Sequence, residues 1–274
     1  MQDLTLKVDG VDTRYLIAGA GPALFLLHGI GFSADCFQEN IGPLSQTHTV
    51  VAVDMLGHGF TQAVDYLGEA PQVAMARHVL ALAKALGLSR YSLLGSSFGA
   101  HVAAHVALLS PATVDKLVLV GSGSVFHSNE EQKKTLQGSF ANGSAAMKNP
   151  TLEACAQRAC RIVLDPLCIP HAMLEKQVEA YQLPDRLSAY EASIMGAIAT
   201  MDDPQSRVLG RLEAITCPVL VIVGREDIRA DWEVHVSESK RFPDAQVKIY
   251  QQCGHCPFLE HPLVFNKDVV EFLG

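Results

Sequence analysis

Short apolar runs that alternate with helix-like segments are the feature that most restricts the fold of this chain. Eight runs rich in β-branched residues or leucine occur at residues 4–8, 15–18, 23–27, 49–53, 91–94, 116–120, 219–223 and 246–250. Helical patterns separate the later runs, at residues 72–86, 97–109, 232–241 and 262–272. Strands and helices in this order predict an α/β fold, with a mostly parallel, doubly wound sheet that helices cover on both faces.

The alternation stops between residues 122 and 207. Four helical patterns without a convincing strand occur there, at residues 129–138, 151–164, 171–182 and 185–200. Because this segment leaves and rejoins the sheet between two central strands, we expect it to lie over the carboxyl ends of the strands, where open α/β sheets bind ligands. The predicted organisation is a core of residues 1–121 and 208–274 with a helical cap at residues 122–207.

Composition indicates a globular protein without a nucleic-acid or membrane partner. The chain has 274 residues, of which 49% are hydrophobic, so one large domain with an insert can bury a substantial core. A net charge of -8 without a cluster of basic residues excludes a nucleic-acid surface. The start lacks a signal-peptide pattern and every apolar run is too short to cross a bilayer, so we expect a cytoplasmic protein without a membrane partner. The sequence leaves a homo-oligomer open.

The cysteines and histidines predict neither a disulfide framework nor a metal site. Seven cysteines at irregular spacings suit a reducing compartment. Cys253 and Cys256 have the spacing of thiol oxidoreductases, but Pro257 follows at once and no early strand precedes them. His101 and His105 have the spacing of metal ligands on a helix, yet the sequence indicates no third ligand. We therefore expect no metal and no organic cofactor.

Ser97 is the predicted nucleophile. It is the central residue of Gly-Ser-Ser-Phe-Gly (residues 95–99), between the strand run at 91–94 and the helical pattern that follows. A serine on such a sharp strand-to-helix turn exposes its hydroxyl, and the small flanking residues prevent backbone collisions. The following helix directs N–H groups and a positive dipole end at whatever the serine attacks.

Asp227 and His255 are the predicted acid and base. Each lies just beyond a predicted strand later in the chain, where an acid can orient a histidine and the histidine can accept the serine proton. Glu226 and Asp231 remain alternatives to Asp227, and we favour Asp227. His261 is the alternative base, but it sits beside Pro262 at the start of the last helical pattern.

A glycine-rich turn at residues 28–31, His-Gly-Ile-Gly, follows the strand run at 23–27. Such a turn can bring backbone N–H groups close to a ligand. We expect the N–H groups of Ile30 and Phe98 to form an oxyanion hole, since acyl transfer requires donors for the developing negative charge.

Five motifs in this order make the chain similar to the α/β-hydrolase superfamily over essentially its whole length. They lie at residues 28–31, 54–59, 95–99, 224–227 and 254–262. The resemblance implies a sheet of about eight strands, a helical cap and a covalent acyl-enzyme mechanism. The cap layout and residues 265–272 also resemble the meta-cleavage-product hydrolases, which split a carbon–carbon bond in vinylogous diketo acids.

The chain departs from that subfamily at four places. Gly31-Phe32-Ser33 stands where those enzymes usually have Gly-Pro-Gly, Ser96 where they have asparagine, and Cys256 where they have tryptophan. Gln177 stands where a cap arginine holds the substrate carboxylate. Each departure removes a group suited to a dienol carboxylate, so carbon–carbon bond hydrolysis is the second hypothesis.

The leading hypothesis is a serine hydrolase of a small, largely apolar carboxylic ester or lactone. The apolar residues predicted to line its pocket from the cap are Val125, Phe126, Ile162, Val163, Leu167 and Met195, with Gly29 and Cys256 from the core. Three cap arginines are candidates for binding a substrate carboxylate instead: Arg158, Arg161 and Arg186. A third hypothesis is a ligand receptor of the same fold that turns its ligand over slowly.

Overall fold

The computed structural model describes all residues from Met1 to Gly274 and contains one eight-stranded sheet with the order β1-β2-β4-β3-β5-β6-β7-β8. The strands are β1 Gln2–Val8, β2 Val11–Ala18, β3 Ala23–Leu27, β4 Thr49–Val53, β5 Tyr91–Ser96, β6 Val114–Val120, β7 Val219–Gly224 and β8 Ala245–Tyr250. The first two strands form an antiparallel hairpin, β2 joins β4 antiparallel, and all the other pairings are parallel. This confirms the predicted α/β-hydrolase fold.

Eleven helices pack around the sheet. They are α1 Gln38–Leu44, α2 Pro71–Ala85, α3 Phe98–Leu109, α4 Gly123–Phe126, α5 Asn129–Lys148, α6 Leu152–Cys160, α7 His171–Tyr181, α8 Arg186–Ala199, α9 Trp232–Ser239, α10 Pro257–Glu260 and α11 Pro262–Leu273. Short 3-10 helices occur at Ala34–Phe37, Pro111–Thr113, Pro166–Cys168, Pro204–Ser206 and Leu209–Ala214. None of the helices combines the length and the apolar character that a bilayer span requires.

The central strands are buried on both faces. All five residues of β3 and all six of β5 and β7 are buried, as expected for parallel strands that helices cover on both sides. Because these strands are held by neighbours on both edges, the loops at their carboxyl ends start from fixed points. Those loops carry the residues of the candidate site.

Helices α5 to α8 belong to the segment between β6 and β7, which we call the insert (residues 122–207). Helix α5 is longer than the pattern at 129–138 predicts, because it continues through Gly138 and Gly143. Its N-terminus has a capping box formed by Ser128 and Glu131. A side chain at Gly143 would meet the Tyr190 hydroxyl of α8 at 2.4 Å, so glycine permits the close packing of α5 on α8. That the insert acts as a separate cap domain stays a prediction.

Candidate active site

Ser97 lies on a strained turn between β5 and α3. Its backbone has φ 54° and ψ -117°, in the left-handed half of conformational space that non-glycine residues rarely adopt. A Cβ atom at Gly95 would come within 2.3 Å of the Gly99 carbonyl oxygen, and one at Gly99 within 2.2 Å of the Leu27 carbonyl oxygen. The two glycines therefore allow the turn to close against β3 and α3, and the strand-to-helix turn predicted around Ser97 has the expected form.

Asp227 and His255 form a buried pair at the ends of β7 and β8. His255 Nδ1 lies 2.8 Å from Asp227 Oδ2. The other carboxylate oxygen of Asp227 accepts hydrogen bonds from the backbone N–H groups of Arg229, at 2.8 Å, and Ala230, at 3.2 Å. Because both oxygens are held, the carboxylate has a fixed orientation toward the imidazole.

The alternative acids and base make other contacts. Glu226 Oε2 accepts a hydrogen bond from the backbone N–H of Cys253, and Asp231 caps the start of α9. His261 Nε2 lies 2.9 Å from the Gln252 carbonyl oxygen. Of the candidates weighed from the sequence, only Asp227 is hydrogen-bonded to His255.

Ser97 and His255 line the same cavity, but their side chains are not hydrogen-bonded to each other in this structure. Catalytic hydrogen bonds are often long or misaligned without substrate and tighten when it binds. The arrangement thus brings the three residues of the predicted triad to one site.

The glycine-rich turn after β3 lies beside Ser97. Neither the Ile30 N–H nor the Phe98 N–H donates a hydrogen bond within the chain, so both can serve a ligand. The buried ring of His28 supports the turn: its Nε2 accepts a hydrogen bond from the Met55 N–H at 3.1 Å, so its Nδ1 is left to donate to the Gly29 carbonyl. Burial lowers the pKa of His28 to about 4, so the ring stays neutral at pH 7.

The insert holds this turn from the other side. The Arg158 guanidinium of α6 donates to the carbonyl oxygens of Gly31, at 2.7 Å, and Ile30, at 2.9 Å. The Tyr181 hydroxyl of α7 also donates to the Gly31 carbonyl. The insert therefore holds the two peptide groups that follow the Ile30 N–H, and His28 holds the Gly29 carbonyl of the peptide group to which this N–H belongs.

The insert is also bonded to the loop that carries His255. The His255 N–H donates to the Ile162 carbonyl at 2.8 Å. The Glu260 carboxylate accepts from the N–H groups of Gly254 and Cys256, which flank His255, and from that of Leu164 in the insert. Glu260 thus positions the His255 loop relative to the insert.

The cavity at Ser97 encloses about 560 Å³ of space not filled by atoms, including the part open to solvent. Core and insert both contribute to its wall. The lining residues are Gly29, Ile30, Phe32, Cys36, Ser96, Ser97, Ser139, Asn142, Arg158, Ile162, Arg229, His255, Cys256, Phe258 and Leu259.

Only part of the predicted pocket lies in this wall. Gly29, Ile162 and Cys256 line it, but Val125, Phe126 and Met195 do not, which corrects the prediction for those three. Val125 and Phe126 are buried at the start of the insert, because α4 turns into the core directly after β6 and Phe126 packs against His235.

Met195 lies on the solvent side of α8, with 41% of its surface exposed. Leu167 is exposed as well. Two of the three cap arginines also lie elsewhere: Arg186 donates to the carbonyl oxygens of Gly59 and Thr61, and Arg161 lines an outer cleft.

Arg229, Ser139 and Asn142 were not identified from the sequence. Arg229 follows the predicted acid by two residues, and that proximity was the one available signal. Ser139 and Asn142 lie in the part of α5 that extends beyond the predicted helix, so nothing local indicated that they reach the site.

The cysteines and the paired histidines of α3 form no second site. All seven cysteines are free, and burial raises the pKa of the Cys253 and Cys256 thiols, which disfavours reactive thiolates. His101 and His105 are buried with ring centroids 4.9 Å apart. No group of three or more His, Cys, Asp or Glu side chains is arranged to hold a metal ion.

The comparisons with known proteins agree with the fold. A family model described as alpha/beta hydrolase fold matches residues 22–262. A 2-hydroxy-6-oxononadienedioate/2-hydroxy-6-oxononatrienedioate hydrolase of Cupriavidus pinatubonensis is 31% identical over 99% of this chain and 94% of its own length.

Solved structures show the same architecture. The serine hydrolase CarC, involved in carbazole degradation, has a TM-score of 0.81 and 26% identity, covering 99% of this chain and 98% of its own. The meta-cleavage product hydrolase CumD of Pseudomonas fluorescens IP01 has a TM-score of 0.81 over 98% of this chain and 97% of its own, and at 23% identity it shows the fold alone.

Proposed function

The chain belongs to the alpha/beta hydrolase fold family and is a serine hydrolase, and from that premise we propose that Ser97, His255 and Asp227 cleave an acyl compound through a covalent acyl-enzyme. The observation that carries the proposal is the buried His255–Asp227 pair at the same cavity as Ser97 on its strained turn. The bond cleaved in the leading candidate reaction is a carboxylic ester or lactone bond.

The geometry supports a stepwise role for each group. Asp227 accepts a hydrogen bond from the Nδ1–H of His255, which leaves the Nε2 lone pair to remove the Ser97 proton. The Ser97 oxygen attacks the carbonyl carbon, and the N–H groups of Ile30 and Phe98 bind the resulting oxyanion. His255 then protonates the leaving group and activates the water that releases the acid.

Carbon–carbon bond hydrolysis is the second candidate reaction. One observation favours it: the Cupriavidus relative, similar over nearly its whole length, is named for hydrolysis of a hydroxy-oxo-dienedioate. In this reaction the carbon next to the ketone is the leaving group, so it must receive a proton before the bond breaks. Ser96 and Cys256 line the cavity where the meta-cleavage enzymes have asparagine and tryptophan. Because these differences remove groups suited to a dienol carboxylate, carbon–carbon hydrolysis is the second candidate.

A comparison of wild type with Ser97→Ala tests the proposal. We expect sustained hydrolysis of a short-chain 4-nitrophenyl ester, reduced by a factor of about 10⁴ or more in Ser97→Ala, as for other triad serines. A 2-hydroxy-6-oxo-dienoic acid is assayed in parallel. If the enzyme hydrolyses this acid and not the ester, the assignment changes to carbon–carbon hydrolysis.

Two other results contradict the proposal. An ester rate that Ser97→Ala leaves unchanged removes Ser97 from the mechanism. A burst of one product equivalent followed by near-zero turnover on both substrates points to a ligand receptor of the same fold.

A further inference from the structure

A second recess adjoins Ser97 and is lined on one side by helix α5. It encloses about 310 Å³ of space not filled by atoms, including the part open to solvent. Ser97, His255 and Ile30 line both this space, which we call the α5 recess, and the cavity already described. A substrate that occupies both spaces therefore has its scissile bond between them, with its acyl chain or its leaving group in the α5 recess.

The face of α5 that lines the recess is largely polar. Gln132, Thr135, Leu136 and Ser139 follow one another at helical spacing, so they lie on one side of the helix. Gln132 is 3% exposed and Ser139 is 7% exposed, at positions where a buried helix face ordinarily has apolar side chains. Burial of a polar group costs free energy unless the group is hydrogen-bonded, so these side chains need partners.

Gln132 is the residue of this face whose side chain lacks a partner. Its Oε1 atom is buried and accepts no hydrogen bond within the chain. Two hydroxyl groups that line the recess are already engaged: Ser124 Oγ donates to the Ser97 carbonyl at 2.7 Å, and Ser139 Oγ accepts from Arg229 at 2.8 Å. A ligand that donates to Gln132 Oε1 would recover the free energy that this unpaired acceptor costs.

Within the chain, His127 is the competing partner for the Gln132 amide. Burial lowers the pKa of the His127 ring, and the nearby Glu131 and Gln132 side chains partly oppose that effect. His127 Nδ1 nevertheless has no hydrogen-bond partner either, so the two side chains approach each other without a hydrogen bond. His127 lines the outer cleft and not the α5 recess, which leaves Gln132 Oε1 available to a ligand.

We propose that the α5 recess is a subsite for a hydroxyl group of the substrate, which donates a hydrogen bond to Gln132 Oε1. The inference rests on the proposed function of Ser97 and adds one neutral polar group to the largely apolar ester expected there. A hydroxyl can also accept from the Nε2 of the same amide, whereas a carboxylate has no proton to donate to Oε1. An ammonium group would lack a counter-ion, because no aspartate or glutamate lines the recess.

Two pairs of esters test the subsite on either side of the scissile bond. In each pair a hydroxyl replaces a methyl group, so the two members differ little in size. The acyl pair is 4-nitrophenyl 3-hydroxybutanoate, as separate enantiomers, and 4-nitrophenyl 3-methylbutanoate. The alcohol pair is 2-hydroxyethyl butanoate and propyl butanoate. After each kcat/KM is divided by the rate constant for alkaline hydrolysis of that ester, we expect wild type to prefer the hydroxyl member of at least one pair.

Gln132→Met should lower this preference about 10-fold, the effect of losing one hydrogen bond to a neutral acceptor. Methionine has nearly the same length as glutamine, and the variant should fold because it removes a buried polar atom that has no partner. The kcat/KM for the methyl member should not fall, whereas a general loss of structure would lower both members equally.

Gln137→Met is the matched control, since Gln137 is an exposed residue of the same helix and should leave the preference unchanged. No preference for the hydroxyl member in either pair overturns the proposal. A preference that Gln132→Met leaves unchanged, as it would if a bound water satisfied the amide, also overturns it.

Binding to Ser97→Ala separates this proposal from the proposed function. We expect NMR titration to show that the hydroxyl member of at least one pair binds this variant about 10-fold more tightly than its methyl counterpart, and that Gln132→Met in the same background removes the difference. That result supports the subsite even if no ester is hydrolysed. Equal affinity within both pairs, or binding of neither member, overturns the subsite, and Ser97-dependent ester hydrolysis would still leave the hydrolase assignment standing.

Discussion

The backbone of Ser97 stores strain at the point where the chemistry is proposed to occur. A non-glycine residue at φ 54° and ψ -117° costs about 1–3 kcal/mol, which the surrounding contacts must offset. Those contacts include the hydrogen bond from the Ser97 N–H to the Val120 carbonyl, at 2.8 Å. The hydroxyl is therefore presented by a turn that β5, β6 and α3 hold rigidly.

Asp227→Asn should lower kcat strongly while the fold is retained. An amide in place of the carboxylate favours the wrong imidazole tautomer, and a loss of about 10⁴-fold is expected. Glu226→Gln is the matched control, because glutamine can still accept the hydrogen bond from the Cys253 N–H. Steady-state kinetics with circular dichroism checks both, and a large loss in Glu226→Gln alone would mean that the acid is misassigned.

Single residues differ in how far their place at the site could be predicted. Ser97, Asp227 and His255 each follow a strand, and parallel strands bring their carboxyl ends to one edge, so their approach was predictable. Arg229 and Ser139 meet only because α5 docks over the loop after β7. No local sequence pattern specifies that docking.

Among the elements, α3 combines almost complete burial with two histidines one turn apart. His101 is 1% exposed, and neither of its ring nitrogens has a hydrogen-bond partner. His105, by contrast, lies with Nε2 at 3.2 Å from the Ser206 carbonyl oxygen. A buried polar group without a partner costs about 1–3 kcal/mol, whereas one that is hydrogen-bonded does not.

His101→Leu should therefore raise the free energy of unfolding at pH 7 by about 1 kcal/mol, since leucine adds no buried polar atom and favours the helix. His105→Leu should lower it, because the Ser206 carbonyl then keeps only the hydrogen bond from Gln72 and loses the one from His105. Urea unfolding followed by the fluorescence of the single Trp232 measures both. If His101→Leu destabilises the protein as much as His105→Leu does, the unpaired ring nitrogens of His101 do not lower the free energy of unfolding.

How accurately a helix or strand is predicted from the sequence depends on its length. The strands and the helices α2, α3, α9 and α11 were predicted to within a few residues, because an apolar periodicity needs about two turns to be visible. Helices α1, α4 and α10 have seven residues or fewer and were missed. The length of α5 depends on its contact with α8, which a local pattern does not contain.

At the scale of the whole molecule, the buried histidines give the stability a dependence on pH. Burial lowers the pKa of His58 to about 3 and those of His28, His105 and His235 to about 4. These groups stay neutral in the folded state but bind protons near pH 6.5 when unfolded, so the stability they confer is present above pH 6.5 and is lost as the pH falls toward 4.

As the pH falls from 7.5 to 5.5, each of these histidines should lower the free energy of unfolding by about 1 kcal/mol. Asp54 acts in the opposite direction, because burial raises its pKa to about 6 and the folded state then gains stability as the pH falls. We expect the urea midpoint to fall from pH 7.5 to 6.5 and to 5.5 at constant ionic strength. Burial also lowers the pKa of His101 well below its ordinary value, so the decrease should be smaller in His101→Leu. A midpoint that is constant or rises toward pH 5.5 would refute this account.

The sequence by itself determined the layers of the fold and the three residues proposed to do the chemistry, because strand periodicity, glycine-rich turns and strand ends are local properties of the chain. The tertiary structure decided what surrounds them. Docking of the insert sets the wall of the cavity, brings Arg158 to the oxyanion turn and exposes Met195 to solvent. Such contacts join residues far apart in the chain through side-chain shape and charge, so they exist only once the elements have packed.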